Sequence, residues 1–99
     1  MIVKQFYNKN QFIIEDNDNK TIYFQSYSSK IAKLDYNTNT LSIYEDWDYS
    51  NTTLKHFYLF LNDYCYRIYY LLSDSTNKRK SFEKMLDTIQ NGFKIVKAY

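Results

Sequence analysis

Proline is absent from this 99-residue chain, and glycine, cysteine, histidine and tryptophan occur once each. With Gly92 as the sole glycine, neither a glycine-rich phosphate loop nor a Gly-x-Ser-x-Gly nucleophile elbow can be built, because both need backbone free of Cβ atoms at several positions. Cys65 alone closes no intrachain disulfide. His56 and Cys65 are nine residues apart, which on one continuous helix is about 13 Å of rise, too far for direct proton transfer. A metal would find no second imidazole or thiolate and would fall to carboxylates such as Asp46 and Asp48. Long apolar runs are missing too. Lys, Asp, Arg or Asn interrupts every such segment before the roughly 20 residues that a membrane helix requires, and the N-terminus lacks the basic-then-apolar order of a signal peptide. The expectation is a cytoplasmic protein with no metal, no cofactor and no membrane partner.

What the chain has in excess is aromatic rings: twelve Tyr and seven Phe beside the one Trp. Tyrosine combines apolar area with a hydroxyl that tolerates water, so rings of this kind can sit half-buried or at a contact surface. The net charge of +2 and pI near 8.5 fall short of the strongly basic balance that drives non-specific nucleic-acid binding. Ninety-nine residues suffice for one hydrophobic core, hence one domain.

The first half reads as strands. Residues 11–16 and 20–27 flank Asn17-Asp18-Asn19, and 30–36 and 40–45 flank Asn37-Thr38-Asn39; short Asn and Asp side chains bond their own backbone and suit tight turns. Residues 2–7 supply a further strand turned by Asn8-Lys9-Asn10. Alternation with period two puts Phe12 with Ile14, Ile22 with Phe24, Ala32 with Leu34 and Leu41 with Ile43 on the core face. Ile13, Tyr23, Tyr27, Ile31 and Tyr44 then fall on the opposite face with Gln25, Lys33 and Asp35.

After Glu45 the period changes. Ser50 or Asn51 suits a helix N-cap, and Leu54, Phe57, Tyr58, Leu61, Cys65, Ile68 and Leu72 recur at helical spacing. One helix over 51–72 is predicted, with a kink near Asn62-Asp63. Phe82, Met85, Leu86 and Ile89 predict a second helix over 76–91, with Gly92 as its C-terminal cap and 93–99 as a short strand or tail. The predicted fold is α+β: an antiparallel meander of four to five strands with two helices on one face.

Candidate contact residues follow from these placements. Trp47, Tyr49, Tyr23, Tyr27 and Tyr44 are the large rings that most often anchor protein interfaces, and Trp47 has a second reading as the lid of the core. Lys78-Arg79-Lys80 is the densest basic run; it suits an acidic protein patch or a phosphate backbone, or else is a solvated helix face.

Two stretches carry a resemblance: Ser26-Tyr27-Ser28-Ser29-Lys30-Ile31-Ala32, and the string from Trp47 to Phe57, whose specific part is Trp-Asp-Tyr-Ser-x-Thr-Thr-x-Lys-His. Over roughly residues 22–64 the chain resembles a family of small uncharacterised proteins from phages and prophages of low-GC Gram-positive bacteria. The resemblance implies a sheet followed by a helix, no catalytic residues, and a mobile-element protein that acts on host machinery. In size, setting and tyrosine content such proteins are similar to phage inhibitors of CRISPR-Cas nucleases. The expected function is therefore inhibition of a host defence nuclease by protein contact, and the alternative is a small nucleic-acid-binding regulator.

Overall fold

Five N-terminal strands form, and the second and third, and the fourth and fifth, are joined at the Asn-rich turns 17–19 and 37–39 as the sequence predicts. A computed structural model of the chain describes residues 1–99. Strands β1 (Ile2–Phe6), β2 (Asn8–Asp16), β3 (Thr21–Ser26), β4 (Ser29–Asp35) and β5 (Thr40–Ile43) run as an antiparallel meander. A short 3-10 segment, Glu45–Asp48, then leads into helices α1 (Asn51–Tyr64), α2 (Tyr66–Leu72) and α3 (Lys78–Glu83). The chain returns to the sheet as a hairpin of β6 (Thr88–Gln90) and β7 (Phe93–Lys97). The sheet has seven strands in the order β1-β2-β3-β4-β5-β7-β6, with β7 parallel to β5. It is thus larger than the predicted meander, and mixed.

The main departure lies after residue 83. The helix expected over 76–91 stops at Glu83, and Gly92 caps no helix. Asn91 (φ 50°) and Gly92 (φ 84°) instead form the tight turn of the β6–β7 hairpin. Both turn positions take positive φ, for which Asn-Gly is the preferred pair. Asn91 Nδ2 donates to the Arg67 carbonyl at 3.0 Å and ties this hairpin to α2.

The helix predicted over 51–72 is also divided, at Cys65 (φ −141°, ψ 57°) rather than near Asn62-Asp63. A straight helix of that length would extend about 33 Å at 1.5 Å per residue, as long as the molecule's greatest dimension of 33 Å. The break turns α2 so that Ile68 and Leu72 are fully buried in the core.

All three helices cover one face of the sheet. Phe57, Phe60, Leu61, Ile68, Leu72 and Phe82 pack with Ile13, Phe24, Leu34, Leu41, Ile43 and Ile95. Phe24 stacks on Phe60 with centroids 5.6 Å apart. Burying each such side chain contributes about 1.5–3 kcal/mol.

Two face assignments are corrected by the register. Ile13 is paired with Phe24 across β2 and β3 and is fully buried, so Phe12 and Ile14 point away from the helices and stay half-buried. A slip of one residue in reading a strand exchanges its faces. Ile31, assigned to the outer face, is buried because the β3–β4 register shifts between Phe24 and Gln25 and leaves it as the extra residue of a bulge. The first turn falls at Tyr7 (φ 63°) rather than at Asn8-Lys9-Asn10, which begin β2. The Tyr7 hydroxyl donates to Asp63 Oδ2 at 2.9 Å, tying that turn to α1.

Candidate functional site

The two stretches that carry the resemblance meet in space. The β3–β4 turn, Ser26 to Ser29, lies against the segment from Asp46 to Thr53, and between them opens a cleft of about 450 Å³. Nine of its ten lining residues come from 26–32 and 47–57, and Asp46 is the tenth.

Hydrogen bonds fix the cleft on both sides. On the turn, the Tyr27 N–H donates to the Asn10 carbonyl at 2.6 Å, and Gln25 Nε2 donates to the Tyr27 carbonyl at 2.8 Å. Tyr27 is held at φ 55°, a conformation that bulky side chains avoid. On the other side Ser50 is the N-cap of α1: its Oγ accepts from the Thr53 N–H at 3.1 Å, as the sequence suggested. A short chain of hydroxyls crosses the floor, with Thr53 Oγ1 3.1 Å from Ser50 Oγ and 3.4 Å from Ser26 Oγ. Ser29 Oγ donates to Asp46 Oδ2 at 3.1 Å and joins turn to 3-10 segment. Tyr27 and Tyr49 stand at the rim, 56% and 80% exposed.

The remaining residues singled out by sequence lie elsewhere. Trp47 is buried against Phe57 and Phe82, at 5.9 and 5.2 Å between centroids, with the Arg79 guanidinium 5.9 Å from its ring. Tyr23 and Tyr44 are half-buried on the sheet face that carries no helix, where Lys30 Nζ sits 4.4 Å and 5.7 Å from their ring centres and Lys33 Nζ 5.7 Å from Tyr23. Burial pushes the Tyr44 phenol up. The basic run is divided. Arg79 donates through Nε to Asp48 at 3.0 Å and forms ion pairs with Asp48 and Glu83 at 2.8 and 3.2 Å. The Asp48 hydrogen bond, with Glu83 behind it, pushes its guanidinium further up. Lys78 lines a second groove beside Lys55, Tyr58 and Tyr69, and Lys80 faces solvent.

His56 is buried, with Nδ1 2.8 Å from the Thr52 carbonyl. Cys65 is buried in the core, and desolvation pushes its thiol up to about 11. No three His, Cys, Asp or Glu side chains converge, and no helix is long and apolar enough to cross a membrane.

A family of unknown function, DUF8033, matches residues 2–84. The chain belongs to this family. The matched span contains the whole cleft and ends one residue beyond α3, leaving the β6–β7 hairpin outside it. No curated protein and no solved structure matches the chain.

The hydroxyls of Ser26, Ser29, Ser50 and Thr53 were not among the sequence candidates, nor was Asp46 for this purpose. Their types were visible, but their convergence depends on a turn and a helix cap roughly two dozen positions apart meeting in three dimensions.

Proposed function

We propose that the protein is a phage-encoded inhibitor that binds a host defence nuclease, a CRISPR-Cas effector foremost, and blocks its DNA binding or cleavage by protein contact. The carrying observation is the pair Tyr27 and Tyr49, both exposed at the rim of one cleft whose backbone is pinned by hydrogen bonds on either side. Rigid exposed rings suit an interface, because tyrosine gives large contact area while losing little rotamer freedom on binding. Tyr27 supports the reading further. It occupies a backbone conformation that costs about 1–3 kcal/mol for a non-glycine residue, yet its ring lies largely outside the core. An external contact for this ring would account for a large side chain at such a place. The choice of a nuclease as target rests on the resemblance to phage proteins.

The test is a cleavage assay with a panel of purified CRISPR effectors loaded with guide RNA. Inhibition by the parent chain, with loss of inhibition in Tyr49→Ala, supports the proposal. No inhibition and no co-migration with any effector on size exclusion overturns it.

One observation favours a second reading. Tyr23 and Tyr44, with Lys30 and Lys33 beside their rings, occupy the sheet face left free of helices, an arrangement on which single-stranded nucleic acid can stack. Filter binding of a single-stranded oligonucleotide at two salt concentrations decides it: affinity that falls steeply with salt supports this reading, and no binding at low salt removes it.

A further inference from the structure

The chemistry of the cleft restricts what it can receive. Its lining carries one formal charge, the carboxylate of Asp46, and no Lys or Arg, although the chain as a whole is positive. Asp46 is half-buried and takes part in no ion pair; Oδ2 accepts from Ser29, while Oδ1 accepts nothing from the chain. Around it lie hydroxyls, which accept as readily as they donate, and two tyrosine rings at the rim. Hydroxyl oxygens, a carboxylate and aromatic faces together favour a cationic donor.

The N-terminus of α1 opposes this, since a helix start is equivalent to about half a positive charge. That contribution is the weaker one here. Of the four amides that open α1, the Thr53 N–H is bound by Ser50 Oγ and the Leu54 N–H by the Ser50 carbonyl, and the Asn51 and Thr52 N–H groups have no partner in the chain. Against their half charge Asp46 sets a whole one. Between the two common cations, arginine fits better. Its planar guanidinium stacks on tyrosine faces and presents five N–H donors to dispersed acceptors, while an ammonium offers three from a single point.

We propose that this cleft captures an arginine side chain from the partner's surface, with the guanidinium bound by Asp46 and the cleft hydroxyls and covered by Tyr27 and Tyr49. The proposal deepens the binding reading and rests on it: surfaces that hold nucleic-acid backbones are rich in arginine, and a nuclease that lost such a group to the cleft would hold DNA less well.

The probe is N-acetyl-arginine amide, titrated into the 15N-labelled chain and followed by amide chemical shifts. The expected result is saturable movement confined to 26–29, 46 and 49–53. The neutral citrulline analogue keeps N–H donors but not the charge that Asp46 attracts, so it should bind about tenfold or more weakly, and the lysine analogue should lie between the two. Asp46→Asn, which keeps the size of the side chain, should lose the preference for arginine over citrulline while its spectrum stays dispersed. Equal binding of arginine and citrulline, or shifts away from the cleft, overturns the proposal. The outcome is separable from that of the inhibitor reading. Arginine binding with no nuclease inhibited leaves the cleft chemistry standing and removes the nuclease; nuclease inhibition that survives in Asp46→Asn with no arginine binding does the reverse.

Discussion

Gln11 sits on the core face of β2 opposite Ser26, fully buried, and neither its amide nitrogen nor its amide oxygen has a hydrogen-bond partner. A buried polar group without a partner costs about 1–3 kcal/mol. Methionine has nearly the same length and a flexible thioether that needs no partner. Gln11→Met should therefore raise the unfolding free energy by about 1–3 kcal/mol, which for a domain of this size moves the thermal midpoint up by roughly 4–8 °C per kcal/mol. Gln11→Ala removes the same amide but leaves a void, and should be less stable than Gln11→Met by the packing lost. The assay is urea unfolding followed by circular dichroism, with the denaturant slope constant across the three proteins. A methionine variant that unfolds at lower urea than the parent, at unchanged slope, would refute the reasoning: the amide would then be stabilising the fold by its polarity.

Three further outcomes are expected. Tyr27→Gly releases a positive-φ strain of about 1–3 kcal/mol, offset in part by about 0.5–1 kcal/mol of extra chain entropy, so it should melt no lower than the parent while binding the partner more weakly; a marked drop in melting temperature contradicts the strain assignment. Trp47→Ala removes the ring packed on Phe57 and Phe82 and should cost about 3–5 kcal/mol, visible as early urea unfolding; a near-neutral effect would place the ring outside the core. The Cys65 thiol, raised from 9.0 to about 11, should resist a disulfide reagent at neutral pH until the chain is unfolded. Because the folded value lies above the unfolded one, its contribution is intact below pH 9 and is lost between about 9 and 11, a loss of roughly 2–3 kcal/mol that Cys65→Ala should lack in urea titrations across that range.

The N-terminal meander was legible because alternation and Asn-rich turns agree over residues 11–43, with each strand pairing its sequence neighbour. The C-terminal hairpin was legible and yet misread. Asn91-Gly92 is a strong turn signal, but Phe82, Met85, Leu86 and Ile89 imitate helical spacing, and over so few residues periodicity cannot separate helix from strand. Ile89 is 71% exposed and belongs to no apolar stripe. Ile13 was misplaced because β2 carries three consecutive apolar residues, Phe12, Ile13 and Ile14, and only pairing with Phe24 selects which of them faces inward. Of the candidate site, Tyr49 was legible as a ring in the polar segment before α1, whereas Tyr27, expected in a strand over 20–27 on the outer sheet face, lies in the β3–β4 turn at φ 55°. That they share a cleft was not legible, because the Ser29 to Asp46 bond that joins its walls links residues 17 positions apart.

The parallel pairing of β5 with β7 bears on how the molecule is made. The whole of 44–92 separates these neighbours, so during synthesis β5 is finished long before the strand that must lie beside it exists. For that interval the meander carries a bare edge at β5, and Leu41 and Ile43 lack the cover of Ile95. Unpaired edges and open apolar surface are what draw nascent chains into aggregates. The hairpin at 88–97 thus acts as the closing seam of the domain: any cut or frameshift within it leaves a sheet with an open flank rather than a slightly shorter protein.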